Sequence, residues 1–405
     1  MKTVHIPYGR SPLLLECPAH SEVVQPLPSC SLDAATTTRH ALLRPIASKP
    51  LSEIIGHDES VAVVLPDATR CCPTEKMLHS VVDALEKGGA DSTTLVFGLG
   101  LHRKMTSAEV AASVGECTLE CIQHDPEQCS YVGTTRRGTC VELFDEVLEH
   151  DRVVAIGRID YHYYAGYTGG YKALLPAISS KKTIISNHSM MLEAGAVAGT
   201  LDGPVRADID DVRNISPLDF VINLVGDAGE VVAGDGIIAH RMGCALLDRA
   251  ARKRVFMADI VVVSAGGYPK DINLFQAHKA MEHVRGALKP GGVMILVAQC
   301  CEGLGNEVFE QWAKRGYTPE EALSAFEKVG FEMGAHKLAR LAKLSTTFRL
   351  YLVSALSDSK AELCFFTPFD SVSEALERAR DVLHKKAPEV LVVKSGSVLL
   401  EGIEP

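Results

Sequence analysis

The 405-residue sequence has no uninterrupted apolar run of about 18 residues, so nothing in it reads as a membrane-spanning helix. Its start, MKTVHIPYGRSP, lacks the apolar core of a secretion signal, and a cytoplasmic protein is expected. There is no long Lys/Arg run and the formal net charge is -10, which argues against a nucleic-acid backbone or an anionic membrane as the main partner. A small anion can still be held by local cations. The 12 cysteines are scattered: only Cys71 and Cys72, Cys117 and Cys121, and Cys300 and Cys301 lie close together, and no CxxC pair is followed by a second. That argues against a structural zinc site and points to free, mostly buried thiols in a reducing compartment. Internal repeats, low-complexity tracts and coiled-coil heptads are absent as well.

What is there is the composition of a globular protein, 46% hydrophobic and 23% charged. The length exceeds what one growing core supports, so two α/β domains are expected, with the active site in the cleft between them. Apolar runs of strand length recur at residues 61–65, 94–97, 153–156, 183–185, 220–224, 260–263, 293–297, 349–353 and 390–393. Helical periodicity lies between many of them, as at 75–87 and 319–329, and this alternation predicts largely parallel sheets. The first helix follows Pro73-Thr74 and stops at Gly88-Gly89, while Thr106-Ser107-Ala108-Glu109 reads as a capping box. A charged stretch at 248–254 ahead of a fresh strand suggests a boundary: residues 1–255 as an N-terminal cofactor-binding domain, 256–405 as a C-terminal domain.

Three polar segments follow predicted strands, where open α/β sheets bind ligands. Asp67-Ala68-Thr69-Arg70 offers a carboxylate, a hydroxyl, backbone amides and a guanidinium, a set suited to phosphate or carboxylate. The stretch Gly98-Leu99-Gly100-Leu101-His102-Arg103 contains GxG but lacks the third glycine of a dinucleotide fingerprint. The densest segment, residues 159–172, holds His162, Lys172, five of the ten tyrosines and Gly166, Gly169 and Gly170, which permit positive φ and a close backbone approach. Sixteen residues beyond, His188 is expected at a strand end, where a neutral imidazole suits nickel, copper or zinc. In the second half, Gln276 and Lys279 stand three apart on a predicted helix and share a face. By residue type alone, each segment also fits an ordinary turn or a hydrogen-bonded histidine.

Taken together and in order, Asp-x-Thr-Arg at 67–70, Gly-x-His-Arg at 100–103, His-x-x-Ala-Gly-x-x-Gly-Gly-x-Lys at 162–172, Asn-His at 187–188, Gly-Gly-Tyr-Pro at 266–269 and Gln-x-x-Lys at 276–279 resemble the lactate racemase family, over roughly residues 60–355. The resemblance implies a racemase or epimerase of a small 2-hydroxy acid, lactate- or malate-like, that uses a nickel-pincer nucleotide. It implies that Lys172 carries that cofactor covalently, that His188 ligates the nickel, and that His102 and His162 are paired acid/bases. It further implies that Asp67, Ala68, Thr69, Arg70, Gly169 and Gly170 hold cofactor, that Arg70, Gln276 and Lys279 bind substrate, and that cofactor-synthesis enzymes load the protein. Two positions depart from the family pattern: Phe275 stands where a tyrosine is expected, and His336 where a tryptophan lines the site.

The chemistry accounts for the residue types. The α-proton of a 2-hydroxy carboxylate is too weakly acidic for a histidine to remove, whereas hydride removal coupled to loss of the hydroxyl proton gives a planar 2-oxo acid that can be reduced from either face. Imidazoles serve as acid and base near neutral pH, and the hydride acceptor must be a cofactor. Two other classes compete: a zinc hydrolase or lyase with His102, His162 and His188 as ligands around a water, and a protein that stores the pincer nucleotide without turnover.

Overall fold

A computed structural model describes residues 2–17, 21–25, 33–70 and 72–404. The chain forms two compact units, Pro28–Ala250 and a second made of Met1–Leu27 with Ala251–Pro405. Each is built on a six-stranded sheet.

In the Pro28–Ala250 unit the spatial order of the strands is Glu230–Gly234, Phe220–Val225, Arg152–Ile159, Ser60–Pro66, Ser92–Gly98, Glu120–Gln123. All neighbours run parallel except Glu230–Gly234, which is antiparallel to Phe220–Val225. The central strand, SVAVVLP, is β-branched and buried on both faces, as a sheet covered on both sides requires. The chain builds outward from Ser60–Pro66 through Ser92–Gly98 to Glu120–Gln123, then returns to the other side of Ser60–Pro66 with Arg152–Ile159. The order therefore reverses between these two central strands, which creates a crevice at their carboxyl ends. Loops 67–70, 99–103 and 160–172 all emerge along that edge.

Helix Thr74–Gly88 packs its apolar stripe (Met77, Leu78, Val81, Leu85) into this core and ends at Gly89, whose φ of 92° is the left-handed C-cap. The capping box at Thr106 and Glu109 is present.

The other sheet is ordered Thr367–Phe369, Arg349–Val353, Leu288–Val297, Ala258–Ser264, Val390–Val393, Ser21–Val24, with every pair parallel. Its core gathers Ile260, Val262, Ile295, Tyr351 and Val392 with Val4, Ile6 and Leu15 of the N-terminal hairpin.

Two expectations need correction. Residues 183–185 are not a strand but lie inside helix Lys181–Ser189: the Ser180 hydroxyl caps Thr183 N, and Ile184 and His188 bury one face at helical spacing. The N-terminal segment does not join the domain assigned to residues 1–255, because Ser21–Val24 hydrogen-bonds along Val390–Val393 at the edge of the second sheet. The charged stretch at 248–254 is the end of helix Ile238–Ala251 and an edge strand, Arg252–Phe256, paired with Leu399–Ile403.

Among the described residues no helix is long and apolar enough to cross a membrane. The ten described cysteines are free thiols, with Cys17, Cys244, Cys300 and Cys364 buried; Cys30 and Cys71 lie outside the described residues.

Candidate active site

The site in the Pro28–Ala250 unit starts at the end of the central strand. Asp67 is buried, and its Oδ1 accepts from Thr69 N at 2.8 Å, a tight turn that also returns Arg70 N to the Asp67 carbonyl. Its Oδ2 faces His102 Nδ1 at 3.1 Å and Arg70 Nε at 3.5 Å. A carboxylate oxygen only accepts, so Nδ1 of His102 carries a hydrogen, and the lone pair of the ring's neutral form lies on Nε2. Burial by itself would raise the Asp67 carboxyl, but the hydrogen bond from His102 and the charges of Arg70 and His102 outweigh it. The group is held well below the usual carboxylate range. Arg103, in the same motif, turns away and pairs with Glu109 of the capping box at 2.6 Å.

Beside it runs the 160–172 loop. Gly169 and Gly170 have φ of 82° and 59°, and a Cβ on either would come within 2.8 Å of Asn223 Oδ1 or His240 Cγ. Only glycine allows this approach. Three buried polar side chains grip the backbone there. Asn223 Oδ1 accepts from Gly170 N at 2.9 Å, His240 Nε2 donates to the Thr168 carbonyl at 2.9 Å, and the Arg206 guanidinium donates to the carbonyls of Tyr167 and Gly169 at 3.3 Å. Arg206 is wholly buried and its charge is met by Asp210 at 2.7 Å. The short 3-10 turn Gly170–Ala173 that follows presents Lys172.

His162 sits at the start of this loop and accepts Ala165 N–H at Nδ1, 3.2 Å away, so its neutral ring carries the proton on Nε2. Its ring meets Tyr164 edge-on at 4.5 Å, and Tyr164 meets His188 at 5.3 Å. His188 is buried in the last turn of helix Lys181–Ser189. Desolvation, then the charges of Lys172, Arg70 and His102, hold its imidazole well below the ordinary value, so it is neutral at physiological pH. The same interactions show that these four predicted residues share one electrostatic neighbourhood.

Among the described residues no three His, Cys, Asp or Glu side chains gather to hold a metal ion. His102, His162 and His188 accordingly do not form a zinc triad.

In the other unit, Asn273 caps helix Leu274–Ala277 and Lys279 opens the next helix, Lys279–Val284. Lys279 Nζ donates to Gln276 Oε1, so the two side chains meet as their spacing suggests. Lys337 Nζ lies 4.3 Å over the Phe275 ring, and the buried His336 packs against Phe275 and Phe331.

Sequence reading missed Arg206, Asn223 and His240. Asn223 leaves one trace, a lone amide inside the apolar strand FVINLV; the other two leave none.

The Pro28–Ala250 unit is thus a doubly wound α/β sheet with imidazoles and an amine on the loops beyond its strand ends. The Lactate racemase N-terminal domain matches residues 8–199, and the Lactate racemase C-terminal domain matches residues 253–400. The chain belongs to the lactate racemase family, and with it to the isomerases. It is 28% identical to the lactate racemase of Thermoanaerobacterium thermosaccharolyticum over 99% of both chains, and 29% identical to that of Lactiplantibacillus plantarum over 69% of both. The solved apoprotein of the former superposes with a TM-score of 0.93 at 28% identity, covering 98% of this chain and 100% of that one. A Thermotoga maritima protein shares the fold at a TM-score of 0.69 and 17% identity, over 94% of this chain and 100% of that one.

Proposed function

We propose that the chain racemises or epimerises a small 2-hydroxy acid, lactate- or malate-like, using a nickel-pincer nucleotide attached to Lys172 and loaded by cofactor-synthesis enzymes. The observation that carries this reading is a buried His188 linked through the Tyr164 ring to His162, with Lys172, Arg70 and His102 near enough to bear on its charge. The donor set fits the group. One neutral imidazole suits nickel, among the described residues no protein cluster competes for the ion, and an amine lies within electrostatic reach to hold a partner that brings the remaining ligands.

When bound, the cofactor supplies a reversible acceptor for the hydride on the substrate α-carbon, a capacity no side chain has. The protein's share is binding, orientation and proton transfer. Arg70 grips the substrate carboxylate through paired hydrogen bonds, and Lys279 with Gln276 stabilises charge on its oxygens. His102, held by Asp67 at Nδ1, takes or returns the hydroxyl proton at Nε2. His162 starts with its proton on Nε2, so the two rings face the substrate in complementary states, as a pair serving opposite enantiomers needs.

Protein co-expressed with the cofactor-synthesis enzymes should gain the mass of the nucleotide, contain one nickel, and interconvert the enantiomers of at least one acid in a panel of 2-hydroxy acids read by chiral chromatography. Zinc in place of nickel, or no turnover of any acid by the nickel-loaded protein, would reject the proposal. Within it, His188→Ala should lose nickel far more than His102→Ala or His162→Ala.

A further inference from the structure

The side chain next to His188 is a buried amide whose orientation is dictated by its partners. Asn187 Nδ2 lies 2.8 Å from Asp208 Oδ2 and 3.2 Å from the Val205 carbonyl. A carboxylate and a carbonyl only accept, so the amide nitrogen must face them and Oδ1 must face the other way. There it meets His188 Nδ1 at 3.0 Å. An amide oxygen cannot donate, so the hydrogen sits on Nδ1 of His188 and the lone pair on Nε2.

Asp208 is fixed in turn. Thr135 Oγ1 lies 2.5 Å from its Oδ1 and Thr139 Oγ1 lies 2.9 Å from its Oδ2. The Thr135 hydroxyl already accepts Thr139 N–H at 3.1 Å, so its own proton goes to the carboxylate. Asn187, Asp208 and Thr139 have no exposed surface and Thr135 has 4%. The two threonines flank the turn of the hairpin formed by Cys129–Thr134 and Cys140–Phe144, an appendage outside the main sheet. Arg136 N, in the same turn, bonds Asp211 Oδ2 at 2.6 Å, anchoring the hairpin to helix Pro204–Asp211 a second time.

We propose that Asp208, acting through Asn187, sets the tautomer of His188 so that Nε2 is the atom offered to the nickel. Asp208 and Asn187 are then positioning residues for metal binding, and the hairpin exists to lock Asp208. Metal-bound histidines generally donate their second ring N–H to such a partner, and removing it weakens metal binding or activity by roughly 10–100-fold. The proposal rests on the reading of His188 as the nickel ligand, so its test has an arm that needs no metal.

In protein without cofactor, labelled with 15N-histidine, the His188 ring nitrogens should show a protonated Nδ1 and an unprotonated Nε2 at neutral pH, the signal being assigned by its loss in His188→Ala. Asn187→Ala and Asp208→Asn should shift the ring toward the other tautomer while the melting curve stays cooperative. A wild-type ring protonated at Nε2, or a ratio unmoved by Asn187→Ala, would overturn the proposal.

In the loaded protein, both variants should release nickel to excess chelator about 10–100-fold faster than wild type. The swap Asn187→Asp with Asp208→Asn keeps both the acceptor for His188 and the bond behind it, and should recover most of the loss. Release at the wild-type rate in Asn187→Ala would refute the proposed link to metal binding. If Asp208→Asn does not fold, Asn187→Ala decides alone. If the loaded wild-type protein lacks nickel, the functional reading fails, whereas the tautomer arm still decides the hydrogen-bond chain.

Discussion

The two sheets follow the same winding rule and use their strand ends differently. In the Pro28–Ala250 unit the order reverses between Ser60–Pro66 and Arg152–Ile159, and the loops beyond these strands carry Asp67, Arg70, His162 and Lys172. In the other unit it reverses between Ala258–Ser264 and Val390–Val393, and the strand ends bond to the unit's own chain. Ser264 Oγ donates to the Pro7 carbonyl, Gly396 N to the Ser264 carbonyl, and Asp271 Oδ2 accepts Gly9 N at 2.6 Å. The polar pair Gln276 and Lys279 sits on two successive short helices instead. A shared topology offers the same crevice twice, and loop chemistry decides which one becomes a reaction site.

Four substitutions probe that contrast. The largest effect is expected at Lys172, the proposed anchor: Lys172→Ala should abolish the cofactor adduct, read as the apo mass in an intact-mass spectrum of protein made with the loading enzymes. An adduct on that variant would move the attachment elsewhere. Next, His102→Ala and His162→Ala should each lower kcat/KM for racemisation by about 10²–10⁴-fold, the usual worth of a general acid or base. Lys279→Met should lower it by only about 10–100-fold, the worth of a hydrogen bond to a charged group. The reverse ranking would put the proton-transfer chemistry in the other unit.

Smaller effects separate a packed turn from an open one. Gly170→Ala combines a positive φ with a Cβ 2.8 Å from His240 Cγ and should cost roughly 2–4 kcal/mol by denaturant titration. Gly291→Ala has a φ of 75° but nothing within 4 Å, and should cost about 1–2 kcal/mol of backbone strain alone. Equal losses would mean that the 160–172 loop is not held as tightly as its contacts indicate.

The smallest effect is a pH dependence at Asp67. Because its folded pKa is depressed, it contributes stability above the ordinary carboxylate pKa of about 3.9, and that stability is lost as pH falls further. Asp67→Asn should therefore remove a contribution present at pH 6 and flatten the acid limb of wild-type stability. An unchanged acid limb would mean that the pair with His102 contributes nothing to folding.

Much of this was legible in advance, for a reason visible residue by residue. Runs such as 61–65 and 260–263 are apolar on both faces and β-branched, which leaves a buried strand as their natural state, and the stops at Gly89 and Thr106 are local backbone chemistry. Residues 183–185 were misread because Thr-Ile-Ile has strand character in isolation. The Ser180 cap and the burial of Ile184 and His188 on one side make it helix, and burial is a property of the neighbours.

The sequence by itself determined the alternation of strands and helices, the family, and which segments gather polar side chains beyond the strands, because these depend on residue type and short spacing. Only the tertiary structure decided that Ser21–Val24 closes the second sheet, that Arg206, Asn223 and His240 grip the Lys172 loop, and that Thr135, Thr139 and Asp208 stand behind Asn187 and His188. Those partners lie tens to hundreds of residues apart in the chain. They form specific hydrogen bonds because burial leaves them no water to bond instead, and no local pattern records which distant group will supply the match.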